Sequence, residues 1–422
     1  MKKIASLLLA LAMLLSLCSF AEEGTELSII WWGNQVRNER TVAALDLYSE
    51  QNPGVTFDPQ AYVWADYWSK IATGALTDEL PDIIQNDYAY LIQYADAGKL
   101  VDLTPYIESG ALDCSNVSSS ILDAGKGSDG GIYALCIGVN APALIYNETL
   151  LTANDIEVPE YPTYEEFIDI CREVYEKTGV KTNYGNDSNL LKCFLREKDE
   201  LLYQEDSLGG TKEDYQEYFE TFVQPGIEEG WLINWSFVSE RVGNEQDPIV
   251  YGATPDQQSW CCFSWSNMVE SYQAVTEDHL AMMPYPANDP EKSDFLKPSQ
   301  FFSIAANSKN IDEAVKVLNF WTNSVEANDI LLAERGIPVS SVVAEAIKPN
   351  VSTTQQEVFD FVNNIVTPRC TAINPADGTH AGEAEDTFSA IYEELCLGQL
   401  TIEEAAEKFD VDGNKVMAGE VK

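Results

Sequence analysis

Short apolar runs alternate with amphipathic stretches along almost the whole chain. Leu27 to Trp32 reads as a first strand, stopped by Gly33. Residues 39–51 place Val42, Leu45 and Tyr48 at helical spacing and end at Asn52-Pro53-Gly54. Val55 to Phe57 is a second short strand, and Trp64, Trp68 and Ile71 open another helix. Pro81-Asp82-Ile83-Ile84 has the continuous apolar pattern of a strand buried on both faces; Asn86-Asp87 and a helix ending near Gly98 follow it. Three further helix starts are signalled by an oxygen-bearing cap with Glu three residues on: Thr163/Glu166, Asn310/Glu313 and Thr401/Glu404. In each, a side-chain oxygen can take free amide groups while the acid favours the positive helix end. No repeat or low-complexity linker interrupts the alternation, which predicts an α/β architecture.

The first residues depart from this pattern. Lys2 and Lys3 precede an apolar run that ends at Ser19-Phe20-Ala21, the layout of an export signal over residues 1–21, with cleavage expected after Ala21. Leu15-Ser16-Leu17-Cys18 also resembles a lipoprotein box, so an envelope location with a lipid anchor on Cys18 stays open. The remaining 401 of 422 residues exceed the size at which one core stops growing, and two domains are expected.

Composition then narrows the partners. The leader carries two lysines and no acids, so its removal takes the net charge from −44 to −46. That excludes nucleic acid and disfavours polyanionic ligands, whose approach the long-range field opposes. Eight cysteines after Ala21 permit disulfides without specifying them, and buried thiols fit equally. With only His279 and His380 and no C-x-x-C, no metal site and no cofactor are expected. G-x-S-x-G, H-E-x-x-H, Walker and G-x-G-x-x-G motifs are missing, so no catalytic residues are assigned. Asp410, Asp412 and Asn414 space their oxygens like a calcium loop. Lys415 stands where its glycine belongs and Val421 where its closing acid belongs, so a solvated turn is expected instead.

Aromatic residues carry the remaining signal. Eight of the nine tryptophans pair as Trp31/Trp32, Trp64/Trp68, Trp231/Trp235 and Trp260/Trp265, many beside Asn, Gln, Asp or Ser. Indole faces stack on the C–H face of a sugar ring while amides and carboxylates take its hydroxyls. Trp31 continues the buried face of Ile29; Trp32 ends the strand, where open α/β sheets place ligands.

The ordered series I-I-W-W-G-N, Glu50-Gln-Asn-Pro-Gly-Val55, Leu80-Pro-Asp-Ile-Ile84, Tyr94 to Pro105, Gly131 to Leu135 and Ala143-Leu-Ile-Tyr-Asn147 is similar to a known family. It continues through Pro162 to Phe167, Ser264-Trp-Ser-Asn267, Met282 to Pro286, Arg335 to Val339 and Gly398 to Ala405. Together these resemble the extracellular solute-binding proteins of ABC importers, in the sugar-binding group that includes maltose-binding protein. The resemblance implies the type II periplasmic-binding-protein fold: two lobes, each a β-sheet flanked by helices, joined by hinge strands. The lobes would be residues 22–139 with 300–345, and 140–299 with 346–422. It further implies no catalysis, a neutral sugar or oligosaccharide as ligand, and ABC permease subunits as partners of a monomer. Carried over by position, ligand contacts fall on Trp32, Asn34, Gln35, Trp64, Tyr67, Asn86, Asp87, Asn140, Phe263 and Trp265. A further second-lobe segment near Glu385–Phe388 has no clear aromatic match. A glycoside hydrolase using paired carboxylates, and a binder of a cationic solute such as a polyamine or peptide, are the alternatives.

Overall fold

The computed structural model describes residues 24–241 and 243–420, so the expected leader, its cleavage point and Cys18 lie outside the described residues. Two sheets organise the chain. The first has the order β2 (Val55–Tyr62), β1 (Thr25–Trp32), β3 (Ile83–Asn86), β9 (Lys297–Ile304), β4 (Leu135–Asn140). Its first three strands are parallel and β9 runs antiparallel to both neighbours. The second sheet has the order β6 (Lys181–Asn183), β7 (Ser259–Trp265), β5 (Pro142–Asn147), β8 (Leu280–Met283). Helices flank both sheets, giving the two-lobe α/β fold.

Strand patterning explains the layers. Every residue of β3 is buried: Ile83 and Ile84 as their apolar run requires, and the polar Gln85 and Asn86 with them. In β5, Ala143 and Ile145 face the helices 269–273 and 353–366, whereas Leu144 and Tyr146 face an aromatic core built on Phe167, Phe219 and Trp260. β2 is longer than its apolar run and contains Pro59. It tolerates proline because it is the sheet edge, with one side free of ladder bonds.

The chain passes between the sheets at Ala141 and returns between β8 and β9. Thr163 and Thr401 make reciprocal capping boxes with Glu166 and Glu404. Asn310 starts a helix at Ile311 but makes no side-chain cap; Glu313 instead accepts from Tyr48 at 2.7 Å and pairs with Lys316. The segment Asp410–Asn414, expected as a solvated turn, is helical instead: Phe409–Gly413 forms a π-helical turn with Phe409 and Gly413 buried, and Asn414 opens the next helix. The eight described cysteines are all unpaired, six of them buried.

Candidate functional site

β1 and β3 end side by side, so the loops after Trp32 and Asn86 leave the same edge of the first sheet. Neighbouring strand residues point to opposite faces. Trp31 turns toward helix Gln35–Gln51, where its Nε1 donates to Asn38 Oδ1 at 2.9 Å. Trp32 turns the other way, onto helix Trp64–Thr77. Its ring centroid lies 4.9 Å from Trp64, 5.0 Å from Tyr67 and 5.7 Å from Trp68. Trp68 extends the cluster by stacking on Tyr90 at 3.9 Å.

This packing separates the aromatic candidates. Trp32 is 9% exposed, while Trp64 is 45% exposed and forms the outer surface of the cluster. Tyr67, expected to touch ligand, is fully buried and its hydroxyl donates to the Gln85 carbonyl. Phe263, also expected at the ligand, is packed among Phe167, Tyr184 and Tyr285 in the second-lobe core. Both rings lie on strand or helix faces that point inward.

The polar candidates divide as well. Asn34 is exposed and caps helix Gln35–Gln51 by accepting from Arg37 N at 2.9 Å, and Gln35 donates to Glu39. Both sit on the Trp31 side of the sheet. There Asn34 and Asn140 line a polar cavity of about 740 Å³ with Arg37, Gln300 and Arg335. Asn140 Oδ1 and Gln300 Oε1 are buried there without a partner. Asn86 is buried, with its Nδ2 3.3 Å from Ser303 Oγ. Asp87 caps helix Tyr88–Asp96 through Ala89 N; burial raises its carboxyl, against the Ala89 bond and the Lys297 charge.

A second cavity, about 310 Å³, opens over the crossover between the lobes. Asn140 pairs with Lys297 at the start of β9, and Pro142 pairs with Trp265 at the end of β7. Lys297 and Trp265 therefore flank Ala141 and meet, with the ammonium 4.1 Å from the indole centroid. Tyr88 lines the cavity from the first lobe; Phe295, helix Asn189–Glu197 and residues 373–377 line it from the second. On that helix Asn189, Lys192 and Arg196 fall at spacings of three and four, on one face.

Each cation has a different environment. The Arg196 guanidinium donates to the carbonyls of Lys292, Ser293 and Ala372 and to the side chains of Asn374 and Thr371. It fastens residues 371–374 to the second lobe, and burial lowers its pKa. Lys192 pairs with Asp377 at 3.1 Å. The Lys297 ammonium makes no hydrogen bond or ion pair among the described residues; desolvation lowers its pKa and Asp87 acts against that shift. Across the cavity the Tyr88 hydroxyl donates to the Asn374 carbonyl at 2.8 Å, joining the lobes. Burial, then the Asp377 charge, pushes that hydroxyl up to about 12.

Of the expected residues, Trp265 lines this cavity and Asp87 adjoins it through Tyr88 and the Lys297 charge. Sequence reasoning missed Tyr88, Lys192, Arg196, Lys297 and the 373–377 segment. One signal was available: cations are scarce here, 25 in 422 residues, yet Lys192 and Arg196 share a helix face with Asn189.

Comparison with known proteins agrees with this architecture. The family model described as bacterial extracellular solute-binding protein matches residues 43–357. The solved extracellular solute-binding protein family 1 of Alicyclobacillus acidocaldarius superposes with a TM-score of 0.85 at 26% identity, covering 94% of this chain and 100% of that one. A periplasmic oligogalacturonide binding protein from Yersinia enterocolitica shares the fold at a TM-score of 0.74 and 19% identity, over 93% and 99% of the two chains. An ABC substrate-binding protein from Listeria monocytogenes, solved with cycloalternan, does so at 0.66 and 17%, over 93% and 99%. The two lobes, the crossover between them and the family match over three quarters of the chain make this protein a member of the bacterial extracellular solute-binding proteins.

Proposed function

We propose that this protein captures a mono- or oligosaccharide between its lobes and delivers it to the permease of an ABC importer, without catalysis. The observation that carries the reading is the cavity at the crossover. It is walled by Trp265, Tyr88 and Phe295, supplied with amides by Asn189 and Asn374, and bridged by the Tyr88–Asn374 hydrogen bond. Aromatic walls with a few fixed polar groups suit a pyranose. Because both lobes contribute, a ligand here favours the closed arrangement, which a permease can distinguish from the open one. An oligogalacturonide binding protein and a substrate-binding protein solved with cycloalternan, both of the same fold, support a carbohydrate class. In this reading the two lobes are residues 22–139 with 300–345, and 140–299 with 346–422.

A thermal-shift screen of the exported chain against sugars, sugar acids and amines tests the proposal, since a ligand raises the melt by mass action. The expected result is a saturable shift with some sugar, which is recovered chemically unchanged. A shift with polyamines alone, or turnover of the sugar, overturns it. Whole-chain charge argues for a neutral sugar; the cavity's own charge argues otherwise.

A further inference from the structure

In a chain of net charge −44, the crossover cavity is lined by three cations and one carboxylate. With Asp87 counted beside Lys297, and Asp294 beside Arg196 together with the Arg369 that also faces it, the local balance stays positive. Solvent-exposed charges more than about 8 Å away are largely screened at physiological ionic strength, so this local balance governs the ligand's final contacts. Two of the cations are already committed, Arg196 to its carbonyl and amide partners and Lys192 to Asp377. Lys297 is not. Its ammonium rests on the face of Trp265, the ring that a sugar in this cavity would stack upon. A neutral sugar must compete with the lysine for that face. A carboxylate, by contrast, offers the ammonium a stronger, charge-assisted partner than the ring does.

We infer that this site takes a sugar acid: the carboxylate of a uronate draws the Lys297 ammonium off Trp265, and the bared indole face receives the pyranose. Lys297 is thus the specificity determinant, and the inference rests on the carbohydrate reading of the cavity. Lys192 supplies a second positive charge beside Asp377, which suits a ligand with a single carboxylate or a second one further along a short chain.

Titration calorimetry tests this with mono- to trisaccharide uronates, each beside its methyl ester and its neutral parent sugar. Wild type should bind a uronate roughly tenfold or more tighter than the ester, as expected for a hydrogen bond between charged groups. Lys297→Gln should bring the two within about twofold by losing affinity for the uronate alone. Lys126→Gln, which removes a surface charge paired with Asp123, should leave the discrimination intact. Equal melting temperatures of the three proteins show that folding is unaffected. If ester or parent sugar binds as well as the uronate, or if Lys297→Gln still discriminates, the inference falls while the carbohydrate reading stands. If no sugar of any charge binds, the carbohydrate reading itself fails.

Discussion

The two adjacent tryptophans of β1 have opposite neighbours, and the difference is measurable. Trp31 is held by Asn38 within the first-lobe core, and Trp32 is covered edge-on by Trp64 and Tyr67. Trp32 therefore supports a surface that Trp64 presents. Trp32→Ala removes a buried indole and should lower stability by about 3–5 kcal/mol. Trp64→Ala should cost much less stability, and denaturant unfolding of both variants separates the roles. If Trp32→Ala unfolds at the wild-type midpoint, the indole is not core. A second residue-scale test concerns Asp294, buried with one carboxyl oxygen unpartnered and its pKa raised to about 7 by desolvation, against Arg196 and Arg369. Because the folded value lies above the ordinary 3.8, the folded state binds the proton more tightly, and this group's contribution to stability falls as pH rises from about 4 to 7. Asp294→Asn should then melt higher than wild type at pH 8, by an amount on the order of 1–3 kcal/mol, with the gain vanishing below pH 4. A constant difference across pH would mean that Asp294 does not titrate in this range.

Elements were legible where local chemistry acts alone. Short apolar runs marked β1 and β3, and helical spacing the helices after them, because a strand buried on both faces is apolar along its run and a helix with one buried face repeats at its own period. The caps at Thr163 and Thr401 were legible because a capping box satisfies amides within four residues. Thr163→Ala should cost about 1 kcal/mol of stability without altering ligand affinity. A drop in affinity would tie that helix to the site. Legibility ended where tertiary partners compete for the same side chain. Glu313 is drawn from Asn310 to Tyr48 and Lys316, and Asp410–Gly413 is wound into helix because Phe409 must reach the core around Phe388 and Tyr215. β2 runs past Pro59 because only the assembled sheet makes it an edge.

At the scale of the molecule, the site is a product of topology. Tyr88, Lys192, Trp265, Lys297 and Asn374 are scattered over nearly 300 positions and converge only because the chain crosses at Ala141, again between β8 and β9, and returns a third time before residues 371–374. The aromatic residue at the end of β7 could be expected from its strand; the lysine laid on its ring could not, since register between β4 and β9 sets that contact. Likewise, Asn34 lies only two residues beyond Trp32, the last residue of β1, yet it caps the helix on which Trp31, not Trp32, packs. The Tyr88–Asn374 hydrogen bond spans the cavity, and in the proposed division of the chain its donor and acceptor belong to different lobes, so it reports on lobe closure. Tyr88→Phe keeps the ring against the cavity and removes only the donor. The closed state should lose about 0.5–1.5 kcal/mol, which weakens ligand binding roughly two- to tenfold if closure accompanies binding. The loss should appear mainly as faster dissociation, since the open form that ligand first meets is unchanged. Stopped-flow tryptophan fluorescence gives both rate constants. An unchanged dissociation rate, with the variant folded, would mean that the bond does not hold the lobes together when ligand is bound.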